Sequence, residues 1–225
     1  MAELNTEEKL AHESAILKSD IKTWWVIGVL EKLEALFFRF RIQPDHVTWA
    51  ATLLVIPCGY LLATGHFLAA GWLNIFIGSL DILDGKLARA LNVDSKRGEL
   101  LDAVLDRYQD FFILVGLLYF FQDHWIQWVI VITMGASGWI SYIKAKAELV
   151  GANLKRVGMM QRPERFFTLS AGLMIDGIVE LSLLPFESLA HWPNHIVLKT
   201  VLVFLAIMTN WTAFERFRHS LRQLS

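Results

Sequence analysis

The sequence predicts an all-α integral membrane protein, with six transmembrane helices preceded by an N-terminal interfacial amphipathic helix. Three observations lead there. Apolar residues make up 55% of the 225-residue chain and the mean hydropathy is +0.43, more than a soluble domain needs to fill one core. Six apolar stretches, at about 46–65, 67–91, 99–121, 125–148, 166–184 and 195–214, approach the roughly 20 helical residues that cross a hydrocarbon core of about 30 Å. The basic residues then fall almost wholly to one side of that arrangement.

Residues 1–45 form the first segment. The opening MAELNTEEKLAHESAILKSD is acidic and polar, without the basic start, apolar run and small-residue site of a secretory leader. Residues 21–46 carry apolar side chains at helical spacing, interrupted by Lys22, Lys32, Arg39 and Arg41, a pattern that lies along a membrane surface rather than crossing it. Pro44 ends this helix, and Asp45 reads as a cap for the first span, through Thr48 or a backbone N–H. Trp24, Trp25 and Trp49 suit one membrane interface and Trp125, Trp128 and Trp192 the other, although packing against neighbouring helices would explain any one of them as well.

The six-span domain, 46–214, contains the only cysteine, Cys58, in an apolar run; it reads as core packing and no intramolecular disulfide is possible. Gly65, Gly151, Gly158, Pro185 and Pro193 mark turns, and no repeat or linker divides the domain. A short tail, 215–225, follows. An even number of spans puts both termini on one side, together with Lys86, Arg89, Lys96, Arg97, Lys144, Lys146, Lys155, Arg156, Arg162, Arg165, Arg216, Arg218 and Arg222. The opposite side has only Lys199. The positive-inside rule therefore predicts cytoplasmic termini.

The stretch "SLDILDGKLARALNVDSKRGELLDAVLDRYQD", 79–110, breaks this apolar background. Asp81, Asp84, Gly85 and Ala88 stand at i, i+3, i+4 and i+7, so two carboxylates and two small residues share a helix face; Asp102 and Asp106 are one turn apart on the next helix, with Gly98 a turn before them. Carboxylates are costly at membrane depth, and a group of four asks for a shared compensating charge. Carboxylate oxygens suit hard divalent cations such as Mg²⁺ or Mn²⁺, and two such ions would clamp a diphosphate. Gly85, Ala88 and Gly98 would let a nucleotide approach the backbone, and Arg89 would meet a phosphate oxygen. Taken singly, each feature has a plainer reading: an Asp as a helix cap, Gly and Ala as helix packing. A transporter with a carboxylate cation site is the alternative from another class.

Together, Asp81, Asp84, Gly85, Ala88, Arg89, Gly98, Asp102 and Asp106 match the signature D-x-x-D-G-x-x-A-R-x8-G-x-x-x-D-x-x-x-D without departure. With this signature the sequence resembles the CDP-alcohol phosphatidyltransferases. The resemblance implies transfer of a phosphatidyl group from a CDP-lipid such as CDP-diacylglycerol to a small alcohol, with release of CMP. It also implies two divalent ions held by Asp81, Asp84, Asp102 and Asp106, with Asp106 as catalytic base, and Asp81, Asp84, Gly85, Ala88, Arg89 and Gly98 binding the CDP donor. Its further implications are a homodimer in the lipid bilayer, the inner membrane in a bacterium, with a cytoplasmic active site and no nucleic-acid partner. Asp94 reads as a loop or capping residue, and Asp110 is left without a role.

The basic stretch 141–166 follows the fourth span. Such a run attracts anionic headgroups by default, but "SYIKAKAE" and "QRPERF" resemble the family branch whose acceptors are phosphorylated, notably the inositol phosphate transferases. That resemblance points to Arg165, Lys144 and Arg162 as acceptor-binding residues. Glycerol phosphate or serine as acceptor, or a CDP-alcohol donating to diacylglycerol, are the alternatives within the same chemistry.

Overall fold

A computed structural model describes residue 37 and residues 42–91, 95–122, 124–154, 157–183 and 195–224. Most of the expected amphipathic segment, together with Asp94, Lys155, Arg156, Pro185, Trp192 and Pro193, lies outside the described residues. The described chain forms six helices: α1 (Pro44–Ala63), α2 (Phe67–Ala90), α3 (Lys96–Phe120), α4 (Ile126–Leu149), α5 (Arg162–Leu183) and α6 (Ile196–Leu224). Five are long and apolar enough to cross a membrane. The exception, α3, has 25 residues, but Lys96, Arg97, Glu99, Asp102, Asp106, Arg107 and Asp110 fall in its first fifteen, and only the remainder is apolar. The architecture is thus all-helical and multi-pass.

Local chemistry sets the helix ends. Pro44 at the start of α1 supplies a helical φ and needs no hydrogen-bond partner for a missing N–H. The cap expected from Asp45 is not formed: Gln43 occupies the capping position without a side-chain bond, and Asp45 lies inside the first turn, where its charge faces the positive end of the helix dipole. The Thr48 hydroxyl is engaged elsewhere. At the start of α3, Ser95 Oγ accepts from Gly98 N at 3.0 Å, a side-chain cap that aims the first turn of the helix. Gly65, Gly151 and Gly158 adopt φ of 81°, 90° and 93° at the predicted turns, a region costly for residues with a Cβ.

The helices pack as a closed ring in the order α1, α2, α5, α6, α4, α3, each touching its two neighbours. Glycines set the closest approaches. A Cβ on Gly116 of α3 would lie 2.5 Å from Gly59 O of α1, and one on Gly177 of α5 would lie 2.6 Å from Leu68 N of α2, so these backbones touch directly. Cys58 is fully buried in the core with Val55, Leu62 and Leu117. Trp49 is exposed near one end of the bundle, and Trp125 and Trp128 near the other.

At the Trp125 end, buried Asp176 of α5 accepts from Leu198 N at 3.1 Å and contacts His195 Nδ1 at 2.8 Å, fixing the start of α6. At the opposite end α6 continues through the predicted tail to Leu224. Its buried Arg216 donates to Val157 O at 2.9 Å and Ile140 O at 3.3 Å, while Thr212 Oγ1 accepts from Met160 N at 3.1 Å. These bonds fasten the segment before α5 and so position the α5 N-terminus.

Candidate active site

The Thr48 end of the bundle collects the acidic cluster. The second half of α2 brings Asp81 and Asp84, and the first half of α3 brings Asp102 and Asp106, with Asp110 a turn further along α3. Asp84 and Asp106 are buried, Asp81 is half-buried and Asp102 exposed. The centre of the cluster is the guanidinium of Arg162, from the first turn of α5. Its Nη1 lies 2.7 Å from Asp81 Oδ2 and 2.9 Å from Asp106 Oδ1, Nη2 donates to Gln109 Oε1 at 2.7 Å, and Nε is 3.8 Å from Asp110 Oδ1. The neighbouring Arg165 is buried, with Nη2 on Asp110 Oδ2 at 3.0 Å and Nη1 on Met160 O at 3.3 Å.

The remaining carboxylate contacts come from α1 and α3. Thr48 Oγ1 donates to Asp84 Oδ2 at 2.6 Å, and Gln109 Nε2 donates to Asp81 Oδ1 at 3.2 Å and Thr52 Oγ1 at 3.3 Å. Arg107 Nη1 reaches Asp106 Oδ2 at 3.5 Å but bonds more closely to Ala103 O, at 2.9 Å.

The donor set fits a hard divalent cation. Its oxygens are all carboxylate, no sulfur or imidazole contacts them among the described residues, and Arg162 is a stand-in positive charge among them. Asp106 Oδ1 is a buried oxygen without a hydrogen bond of good geometry, although Arg162 Nη1 is 2.9 Å away. Among the described residues, however, no three acidic side chains close on a single point. The four aspartates expected from the sequence lie at this end of the bundle without converging on one point, and Arg162 stands between Asp81 and Asp106.

The small-residue face is open. Among the described residues, a Cβ on Gly85 would meet only the Arg89 guanidinium, at 3.6 Å, and no other helix; packing between the described helices does not account for this glycine. Gly98 lies within the Ser95 cap and near Asp45 Oδ1. Ala88 is half-buried and Arg89 exposed on the same surface. Of the three basic residues expected to bind the acceptor, Arg162 and Arg165 join the carboxylates, whereas Lys144 is exposed on α4 and makes no ion pair among the described residues.

Sequence reasoning did not single out Thr52 or Gln109, saw Thr48 only as a cap partner, and left Asp110 unassigned. A signal existed for Gln109: it stands three residues after Asp106, on the same face of the helix.

Residues 41–212 match the family model of the CDP-alcohol phosphatidyltransferases. The phosphatidylinositol phosphate synthase of Mycobacteroides abscessus is 30% identical over 199 residues, 86% of this chain and 84% of the relative. The archaetidylinositol phosphate synthase of Pyrococcus horikoshii is 29% identical over 150 residues, 66% of this chain and 78% of the relative. The crystal structure of Mycobacterium tuberculosis phosphatidylinositol phosphate synthase with CDP-DAG bound superposes with a TM-score of 0.71 at 25% identity, covering 85% of this chain and 93% of that one. The same enzyme in complex with manganese and citrate gives 0.73 at 25% identity, with 86% and 89% covered. With the signature unbroken from Asp81 to Asp106 and the family matched across most of its length, the chain belongs to the CDP-alcohol phosphatidyltransferases.

Proposed function

We propose that this chain makes a phosphatidylinositol phosphate or a close analogue, transferring the phosphatidyl group of CDP-diacylglycerol to a hydroxyl of a phosphorylated polyol and releasing CMP. The observation that carries the phosphorylated acceptor is the entry of two arginines of α5, Arg162 and Arg165, into the carboxylate cluster. Permanent charge in planar, bidentate form is what a second phosphate beside the transferred one requires. The relatives named above all carry inositol phosphate chemistry in their names. Lys144 completes the acceptor side in this reading.

Asp81, Asp84, Asp102 and Asp106 would hold two divalent ions, Mg²⁺ or Mn²⁺, the latter being present in a solved relative. Bound there, the ions supply Lewis-acid neutralisation of the diphosphate and of the departing CMP. Gly85, Ala88, Arg89 and Gly98 form the surface that takes the CDP group. Asp106 accepts the proton of the acceptor hydroxyl; that oxygen forms the new bond to the diacylglycerol-bearing phosphorus as the bond to CMP breaks. In this reading α3 is the sixth span, the site faces the cytoplasm as the basic residues direct, and the enzyme works as a homodimer.

The test is CMP release by detergent-purified protein with CDP-diacylglycerol and either metal, against inositol phosphate, glycerol phosphate, inositol and serine. Inositol phosphate is expected to be the preferred acceptor. Preference for an unphosphorylated acceptor would overturn the assignment, and preference for glycerol phosphate would keep the arginine argument while replacing the polyol.

A further inference from the structure

Thr48 of α1 lies outside the signature and holds one of its carboxylates. Its hydroxyl is 2.6 Å from Asp84 Oδ2 and 3.2 Å from Pro44 O. A hydroxyl has one proton, and the short contact to the anion takes it; 2.6 Å is the range of a charge-assisted O–H to carboxylate bond. Both residues are buried, at 6% exposure each, so water does not replace the bond if it is lost. One turn on, Thr52 Oγ1 accepts from Gln109 Nε2, which also donates to Asp81. The two threonines of α1 therefore face the two carboxylates of α2, one directly and one through an amide.

We infer that Thr48 is a positioning residue for the metal site: it fixes Asp84 Oδ2 and thereby presents the other oxygen of that carboxylate to a divalent cation. The inference rests on the metal reading given above and adds to it the residue that orients the ligand. Groups that hold a metal ligand from behind set its angle and basicity, and their loss typically weakens metal binding by about 10–100-fold. Valine is nearly the same shape as threonine but has no hydroxyl, whereas serine keeps it.

The experiment is titration of detergent-purified protein with Mn²⁺ alone, reading free ion by electron paramagnetic resonance, with thermal unfolding recorded on the same samples. Thr48→Val is expected to bind Mn²⁺ about 10–100-fold more weakly than wild type, and Thr48→Ser within about threefold of it. The control is Asn74→Leu, which removes another buried polar contact of α2, to Ser170 at 2.8 Å, about three turns from Asp84 along the helix; its Mn²⁺ affinity should equal that of wild type whatever its Tm. Equal affinity in Thr48→Val, failure of serine to restore it, or the same loss in Asn74→Leu would overturn the positioning role. Wild-type protein that binds no Mn²⁺ would overturn the metal reading itself and this inference with it.

Discussion

Arg165 has a structural partner as well as the acceptor role proposed for it, and the two can be separated. Its Nη2 lies 3.0 Å from Asp110 Oδ2, with side chains only 10% and 22% exposed. Removing one member of a buried pair leaves the other charge uncompensated and costs about 3–5 kcal/mol. For a chain of this length that corresponds to a Tm lower by roughly 6–20 °C. Arg165→Gln should therefore be destabilised by that amount, because the remaining cation near Asp110, Arg162 Nε, is 3.8 Å away. Removing both charges in Arg165→Gln/Asp110→Asn should restore most of the Tm, since two neutral amides can bond to each other at that distance.

The acceptor kinetics should not recover with the stability. A charged hydrogen bond is worth about 1.5–3 kcal/mol, so loss of Arg165 should cut kcat/KM for inositol phosphate by about 10–100-fold in the single and the double variant alike. The apparent affinity for CDP-diacylglycerol should stay close to wild type. The assay is CMP release at fixed lipid composition, paired with thermal unfolding of each variant. If the double variant recovers both stability and acceptor kinetics, Arg165 acts only by pairing with Asp110, and the acceptor pocket must be sought elsewhere.

Three other outcomes are expected. Replacing Asp81, Asp84, Asp102 or Asp106 by Asn should lower turnover at least about 10²-fold, as expected for a base or a central electrostatic group, with Asp106→Asn still binding nucleotide; near wild-type turnover in any one of them removes that residue from the metal set. Gly85→Leu should fold, because among the described residues the space beside Gly85 holds only the Arg89 guanidinium, yet lose CDP-lipid binding; unchanged donor affinity in the folded variant would contradict a nucleotide surface there. Arg162→Gln should bind Mn²⁺ at least about tenfold more tightly than wild type, since the guanidinium contacts to Asp81 and Asp106 that an ion must replace are gone; equal or weaker binding would mean that Arg162 and the ion do not share these oxygens.

The hydropathy of the chain placed the helices but not their ends. The first span begins at Pro44 rather than 46, α5 begins at Arg162 rather than 166, and α6 runs ten residues past 214 to Leu224. An apolar window finds the part of a helix that crosses hydrocarbon. The ends beyond that window are held by hydrogen bonds such as those of Arg216 to Val157 and Ile140, which leave no mark on hydropathy. The charged half of α3 falls below the same window for the reason that makes it the heart of the site.

The site divides along the same line. Spacings of three and four residues fixed the aspartates on their helix faces, because helix geometry alone decides that. The contacts that organise them join residues 36, 28, 81 and 55 positions apart: Thr48 with Asp84, Gln109 with Asp81, Arg162 with Asp81, Arg165 with Asp110. No local pattern encodes these pairings, and a basic run reads alike wherever its members point. The sequence puts Arg165 first, Lys144 second and Arg162 third as acceptor residues, yet Lys144 is exposed on α4 and the two arginines are drawn among carboxylates. Burial separates them physically: a charge facing water is screened and tolerates many neighbours, while a guanidinium held between Asp81 and Asp106 affects both carboxylates and whatever anion or cation they meet. The arginines of α5 are therefore the basic residues whose replacement should change substrate choice most, and replacement of the exposed Lys144 should change it least of the three.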